Sequence, residues 1–150
     1  MKNMIISFAI VLLIANFMMF QKDSYNLVYA MNAMKNISDE MARAAALSID
    51  YEKLSEGRFD FDQTKGKSMA NRAFEDGIAA FNNRNHDELF NTNLINYTVS
   101  FNESSGRVTV NMNLGKANYK LGILRNSENM RVNSVYEYVL KDVKEIVVSE

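Results

Sequence analysis

The stretch that decides the fold is Met4-Ile-Ile-Ser-Phe-Ala-Ile-Val-Leu-Leu-Ile-Ala-Asn-Phe-Met-Met-Phe20, seventeen residues whose only polar members are Ser7 and Asn16. As a helix rising 1.5 Å per residue it covers about 25 Å, close to the ~30 Å hydrocarbon core of a bilayer once Asn3 and Gln21 sit at the interfaces. It exceeds the ~7–15 apolar residues of an ordinary signal peptide. A possible cleavage point, at Val28-Tyr29-Ala30, lies well beyond it, past Lys22 and Asp23. A retained anchor is therefore expected in preference to a cleaved signal. Lys2 precedes the run, whereas Lys22 is offset at once by Asp23, so the positive-inside bias places the N-terminus in the cytoplasm and residues 22–150 outside. That outer part holds 16 basic and 18 acidic residues, a formal charge of −2.

Beyond the membrane run the helical period continues. Leu27, Met31, Met34, Ser38, Met41, Ala45 and Ser48 recur at steps of four and three, with Ala30, Ile37 and Ala44 widening the stripe, and no Gly or Pro interrupts Tyr25 to Asp50. Lys22, Asn32, Lys35, Asn36, Asp39, Glu40 and Arg43 take the opposite side. The pattern predicts one helix of some 45 residues, about 70 Å long, apolar all round below and amphipathic above. Its methionine and alanine stripe fits two uses: packing against the chain's own globular part, or against another helix, at different heights.

Glu56-Gly57 is read as the break that ends this helix. A loop follows to Gly66, its alternating Arg58 to Asp62 core suited to a short edge strand. A second helix is expected from about Ser68, its N-cap, to Asn82, with Ala70, Phe74, Ile78 and Phe81 on one face. Residues 82–96 read as a polar connection with a turn of helix around Leu89 and Phe90. Then Tyr97, Val99 and Phe101 alternate with polar residues, Asn102 to Gly106 make a turn, and Val108, Val110, Met112 and Leu114 alternate again, the signature of an antiparallel hairpin with one buried face. Tyr119 to Leu124 is less regular; a further alternating run carries Met130, Val132, Ser134, Tyr136, Tyr138 and Leu140, and Val143 and Ile146 to Val148 form an apolar tail. The expected fold class is α+β, a long N-terminal helix packed on a small antiparallel sheet that hides Met34, Met41 and Phe74. It divides into an anchor (1–21), a helical stalk (22–54) and a globular head (55–150).

Composition narrows the chemistry. A net charge of −1 leaves no basic excess to neutralise phosphates, so no nucleic-acid partner is expected. The absence of cysteine removes thiol catalysis, disulfides and thiolate metal sites, and a lone His86 in a polar loop leaves little for a relay or a histidine metal cluster. Asp60-Phe-Asp-Gln-Thr64 matches an Asp-x-Asp-x-Thr phosphatase nucleophile motif, but that chemistry needs the first Asp at the end of a buried parallel strand, and no strand–helix–strand pattern follows it. As a calcium loop the same stretch has Lys65 and Asn71 where Gly and Glu belong. The sequons at Asn36, Asn96 and Asn102 matter only in a glycosylating pathway, and nineteen asparagines read as a compositional bias. The amide of Asn16 either pairs with another helix or is hydrated near the outer interface.

A hydrophobic helix running on as an amphipathic stalk into an α+β head resembles type IV pilin-like subunits, and within them the TadE-like pseudopilins of the tight-adherence system. Ile6-Ser-Phe-Ala-Ile-Val-Leu-Leu13 parallels that family's opening motif, with Ser7 standing where the family has its glutamate and Leu13 near its proline. Met41-Ala-Arg-Ala-Ala-Ala-Leu47 is similar to the family's alanine-rich upper helix. The resemblance implies a structural role without catalysis or cofactor, as a minor pilin or pseudopilin of a prokaryotic pilus or secretion apparatus. Its partners would be the lipid bilayer and other pilin-like subunits or itself, and its assembly surface would run through Ser7, Phe8, Asn16, Met31, Met34 and Met41. The alternative is a membrane-tethered binding or accessory domain that works through loops 57–67 and 82–96. A tethered hydrolase using Asp60 and Asp62 is a distant third.

Overall fold

The computed structural model describes residues 2–84, 92–116 and 129–138. Helix α1 (Lys2–Ala46) is unbroken for 45 residues, as the absence of proline and internal glycine permits. Its upper half follows the sequence pattern, with Leu27, Met31, Ile37 and Ala44 half-buried and Asp23 buried outside the stripe. Ala30, Met34, Ser38, Met41 and Ala45 are buried, while Lys22, Asn32, Lys35, Asn36, Asp39, Glu40 and Arg43 are exposed.

The helix ends at Ala46, earlier than Glu56-Gly57 suggests, because local hydrogen bonds and a small bridge outcompete a further turn. Ser48 Oγ donates to Ala45 O at 2.7 Å, and Ile49 pairs with Phe61 through Asp50 N to Asp60 O at 3.0 Å and Asp62 N to Ser48 O at 2.8 Å. Asp50 then caps the short helix α2 (Tyr51–Ser55) by accepting from the amides of Glu52 and Lys53. It is α2 that Glu56-Gly57 terminates, with Gly57 in the left-handed region at φ 80°.

Helix α3 (Gln63–Arg84) begins five residues ahead of the expected Ser68. Asp62 is the residue that caps it: its Oδ1 accepts from Lys65 N at 2.9 Å and its carbonyl from Gly66 N at 2.8 Å. Gly66 lies beside Ser48 and Phe101, and Gly77 beside Ile37, so α3 descends antiparallel along α1. A 3-10 turn, Thr92–Leu94, leads into the sheet. The expected helical turn at Leu89 and Phe90, the segment Tyr119 to Leu124, Leu140 and the apolar tail from Val143 lie outside the described residues, as does His86.

Strands β1 (Asn96–Asn102), β2 (Arg107–Gly115) and β3 (Met130–Glu137) form an antiparallel meander in the order β1-β2-β3. Val99 faces Val110 and Ser134 across the sheet, and Tyr97 faces Met112 and Val132, so the alternating apolar residues share one inward face. α1 lies over β2 and β3, with α3 beside it reaching β1. The core is Met34, Met41, Val108, Val110, Met112 and Leu114, sealed by the alanines of α1. Fastenings follow the apolar seam. Tyr138 Oη donates to Ala46 O at 2.7 Å, Tyr97 Oη to Asn71 Oδ1 at 2.6 Å and Lys35 Nζ to Ser134 Oγ at 2.9 Å. Phe59, Phe61, Phe101 and Tyr138 close the upper end with ring centroids 5.1–5.6 Å apart along the chain of contacts. The protein is thus α+β: a long N-terminal helix packed against a small three-stranded antiparallel sheet.

Candidate functional site

Two halves of α1 have opposite surroundings, and the contrast locates the functional surface. From Asn3 to Lys22 every side chain is exposed, including Ile5, Phe8, Leu13, Phe17 and Met18 at 57–71%. Among the described residues nothing packs on this apolar window, which is long and apolar enough to cross a membrane. A continuous apolar band of this size is far larger than the few hundred Å² a water-soluble monomer ordinarily shows, so it needs a bilayer or other chains around it.

The residues read from the sequence as an assembly surface separate by height. Ser7, Phe8 and Asn16 are exposed on the lower half. Asn16 Nδ2 donates to Leu12 O at 2.8 Å, which uses one of the two amide protons and leaves the other and Oδ1 on the exposed surface. Met31 is half-buried. Met34 and Met41 have no exposed surface, because the stripe that carries them faces the sheet. While the head is packed these two have nothing to offer a second chain; their role is core.

A groove that the sequence reading missed runs up the outer side of α1 and α3. It encloses about 590 Å³ and is floored by Ala33, Ile37, Ala73, Gly77, Ala80 and Phe81. At its base the helices approach closely, for a Cβ added at Gly77 would sit 2.8 Å from Ile37 Cγ1. The detectable signal was the recurrence of Ala73, Gly77 and Ala80 at helical spacing, opposite Ala33, Ile37 and Ala44 at the edge of the methionine stripe of α1.

The Asp-x-Asp motif has structural work. Asp60 pairs with Lys53 and accepts from Phe61 N at 2.8 Å, and the hydrogen bond from Lys53 holds its carboxyl below the ordinary carboxylate range. Asp62 caps α3. Both lie in the connection between helices, and the described sheet is antiparallel, so the strand-end setting of the phosphatase motif is not formed. Among the described residues no three His, Cys, Asp or Glu side chains converge as metal ligands. Lower down, burial pushes the Asp39 carboxyl up, but hydrogen bonds from Lys35 and Ser134 and the charges of Lys35 and Arg43 outweigh it and hold it low.

No protein-family model, no curated protein and no solved structure matches this chain.

Proposed function

We propose that the protein is a membrane-anchored, pilin-like structural subunit, with its N-terminus cytoplasmic and its head outside. The observation that carries this reading is the wholly uncovered apolar lower half of α1, rigidly continuous with an upper half that is built into the head. A hinge-free helix transmits the position of the head to the membrane segment and back, which suits a part that is assembled or pushed more than one that turns over a substrate. The surface left for neighbours is the lower helix around Ser7, Phe8 and Asn16 and, above the membrane, the α1–α3 groove.

The cysteine-free chain makes the test direct. Phe8→Cys and Ala80→Cys, made singly and combined in one chain, are oxidised in native membranes. Dimers from each single variant and longer ladders from the double variant support assembly. A chain that fractionates with membranes, keeps Met1 by mass spectrometry, is monomeric in detergent and never cross-links overturns the subunit reading and favours the tethered binding domain. That second reading has one observation of its own, on the far side of the sheet.

A further inference from the structure

Strands select against asparagine, because its amide competes for backbone hydrogen bonds and packs poorly on a pleated surface. The outward face of this sheet is nevertheless built on it. Twelve side chains point away from the helices in four cross-strand rows, and five of them are Asn96, Asn102, Asn111, Asn113 and Asn133. The inward face has none. Asn102 and Asn113 have local partners, accepting from Ser105 N at 3.2 Å and Gly115 N at 3.1 Å. Asn111, Asn133 and Thr98 are exposed in mid-sheet with no side-chain hydrogen bond among the described residues. The chain-wide bias supplies about one asparagine in eight residues, whereas five of these twelve are asparagine, so the face is richer in amides than the bias alone supplies.

Two adjacent rows, Asn96–Asn113–Arg131 and Thr98–Asn111–Asn133, line a cleft of about 550 Å³. With strands about 4.8 Å apart and same-face neighbours about 6.8 Å apart, they form a grid roughly 10 Å by 7 Å. Its chemistry is one-sided. Among the described residues, Arg131 is the sole charged side chain lining the cleft, is exposed, and forms no ion pair. The other two charges of the face, Arg107 and Glu137, neutralise each other at 2.8 Å at the opposite end. Val135 is the sole apolar side chain of the twelve.

We propose that this cleft binds an acidic polysaccharide strand. An amide offers a donor and an acceptor side by side, which complements vicinal hydroxyls, and an uncompensated guanidinium complements a carboxylate through two parallel bonds. A nucleic acid carries a phosphate at every step and needs several cations where this face supplies one. A protein partner needs a large aromatic or aliphatic anchor, and the described face offers only Val135, outside the cleft. With no aromatic among the described outward side chains, affinity rests on hydrogen bonds and one ion pair and weakens with salt. The cleft lies opposite the helices, so occupation of it is independent of whether copies assemble through α1 and α3.

The test uses the full chain in detergent, titrated with oligogalacturonate and with the same oligomer methyl-esterified, at low and high salt, by saturation-transfer NMR. The free acid binds in preference, and salt narrows the difference. Arg131→Gln lowers affinity for the acid by about tenfold, the size of one charge-assisted contact, and leaves the ester unchanged. Asn111→Ala combined with Asn133→Ala weakens both, while Lys67→Gln on α3 alters neither; circular dichroism confirms that each variant is folded. Absence of binding by both oligomers, or acid binding that survives Arg131→Gln, overturns the proposal. Tighter binding of an oligonucleotide or polyphosphate overturns it too, by marking a general polyanion site. None of these outcomes bears on cross-linking in membranes, so this proposal and the subunit reading fail separately.

Discussion

Replacing Gly66 with alanine tests how closely α3 is pressed against the rest of the head. On an open helix the change is favourable by about 1 kcal/mol, since alanine restricts the unfolded chain and shields the backbone. Here the added Cβ would lie 2.5 Å from Ser48 Oγ and 2.7 and 2.9 Å from two atoms of the Phe101 ring. Neither neighbour moves freely. The Ser48 hydroxyl is bonded to Ala45 O at the end of α1, and the Phe101 ring is held against Phe61 at 5.5 Å between centroids. Overpacking of this kind costs about 1–3 kcal/mol, so against the gain of about 1 kcal/mol the net effect of Gly66→Ala is a loss of up to about 2 kcal/mol. For a domain of this size that lowers the midpoint of thermal unfolding by up to roughly 10 °C. Gly77→Ala is the internal control, because the atoms it meets belong to one half-buried side chain, Ile37. Its helix-propensity gain and its clash offset each other to within about 1 kcal/mol. The assay is thermal unfolding of both variants in detergent by circular dichroism. Ser48→Ala added to Gly66→Ala should recover part of the loss, a coupling that independent sites do not show. If Gly66→Ala raises the midpoint, α3 does not approach Ser48 and Phe101 as described.

Three further outcomes follow from the same contacts. Ser38 is fully buried between α1 and the sheet with its hydroxyl unpaired, so Ser38→Ala should leave stability unchanged or raise it by up to about 1 kcal/mol in a denaturant titration. Tyr138→Phe removes the bond to Ala46 O that ties β3 to the top of α1 and should cost about 1 kcal/mol in the same titration, with no loss of helix content. Asp60 and Asp39 are both held below the ordinary carboxylate value of 3.8, so each binds its proton more weakly folded than unfolded. Their stabilisation is complete above that value and is lost as pH falls below it towards the folded pKa. Lys53→Met should therefore flatten the acid limb of a stability–pH curve, and an unchanged limb would show that the Lys53–Asp60 pair does not form in solution.

How far the sequence speaks depends on whether a feature is periodic. The buried and exposed sides of α1 between Lys22 and Ala45 follow from spacing alone, because a helix without Gly or Pro turns by a fixed angle per residue. The inward set of β1 and β2 follows from alternation in the same way. Helix ends do not. Ser48, Asp50 and Asp62 decide them by local hydrogen bonds, and Asp62 caps α3 next to the Ile49–Phe61 bridge. Spacing likewise placed Met31, Met34 and Met41 on one stripe but left two uses open for it, the chain's own sheet or another helix; Met34 and Met41 are buried against the sheet.

The sequence by itself determined that a membrane-length apolar helix runs on into an amphipathic one and that alternating strands follow, since both are repeats in the polarity of neighbouring residues. Only the tertiary structure decided that Met34 and Met41 are spent on the chain's own sheet, that Ala73, Gly77 and Ala80 open a groove beside α1, and that scattered asparagines gather on one face around Arg131. Those are juxtapositions of residues distant in the chain. They are fixed by which apolar faces bury each other, and that choice is made by packing across the whole head.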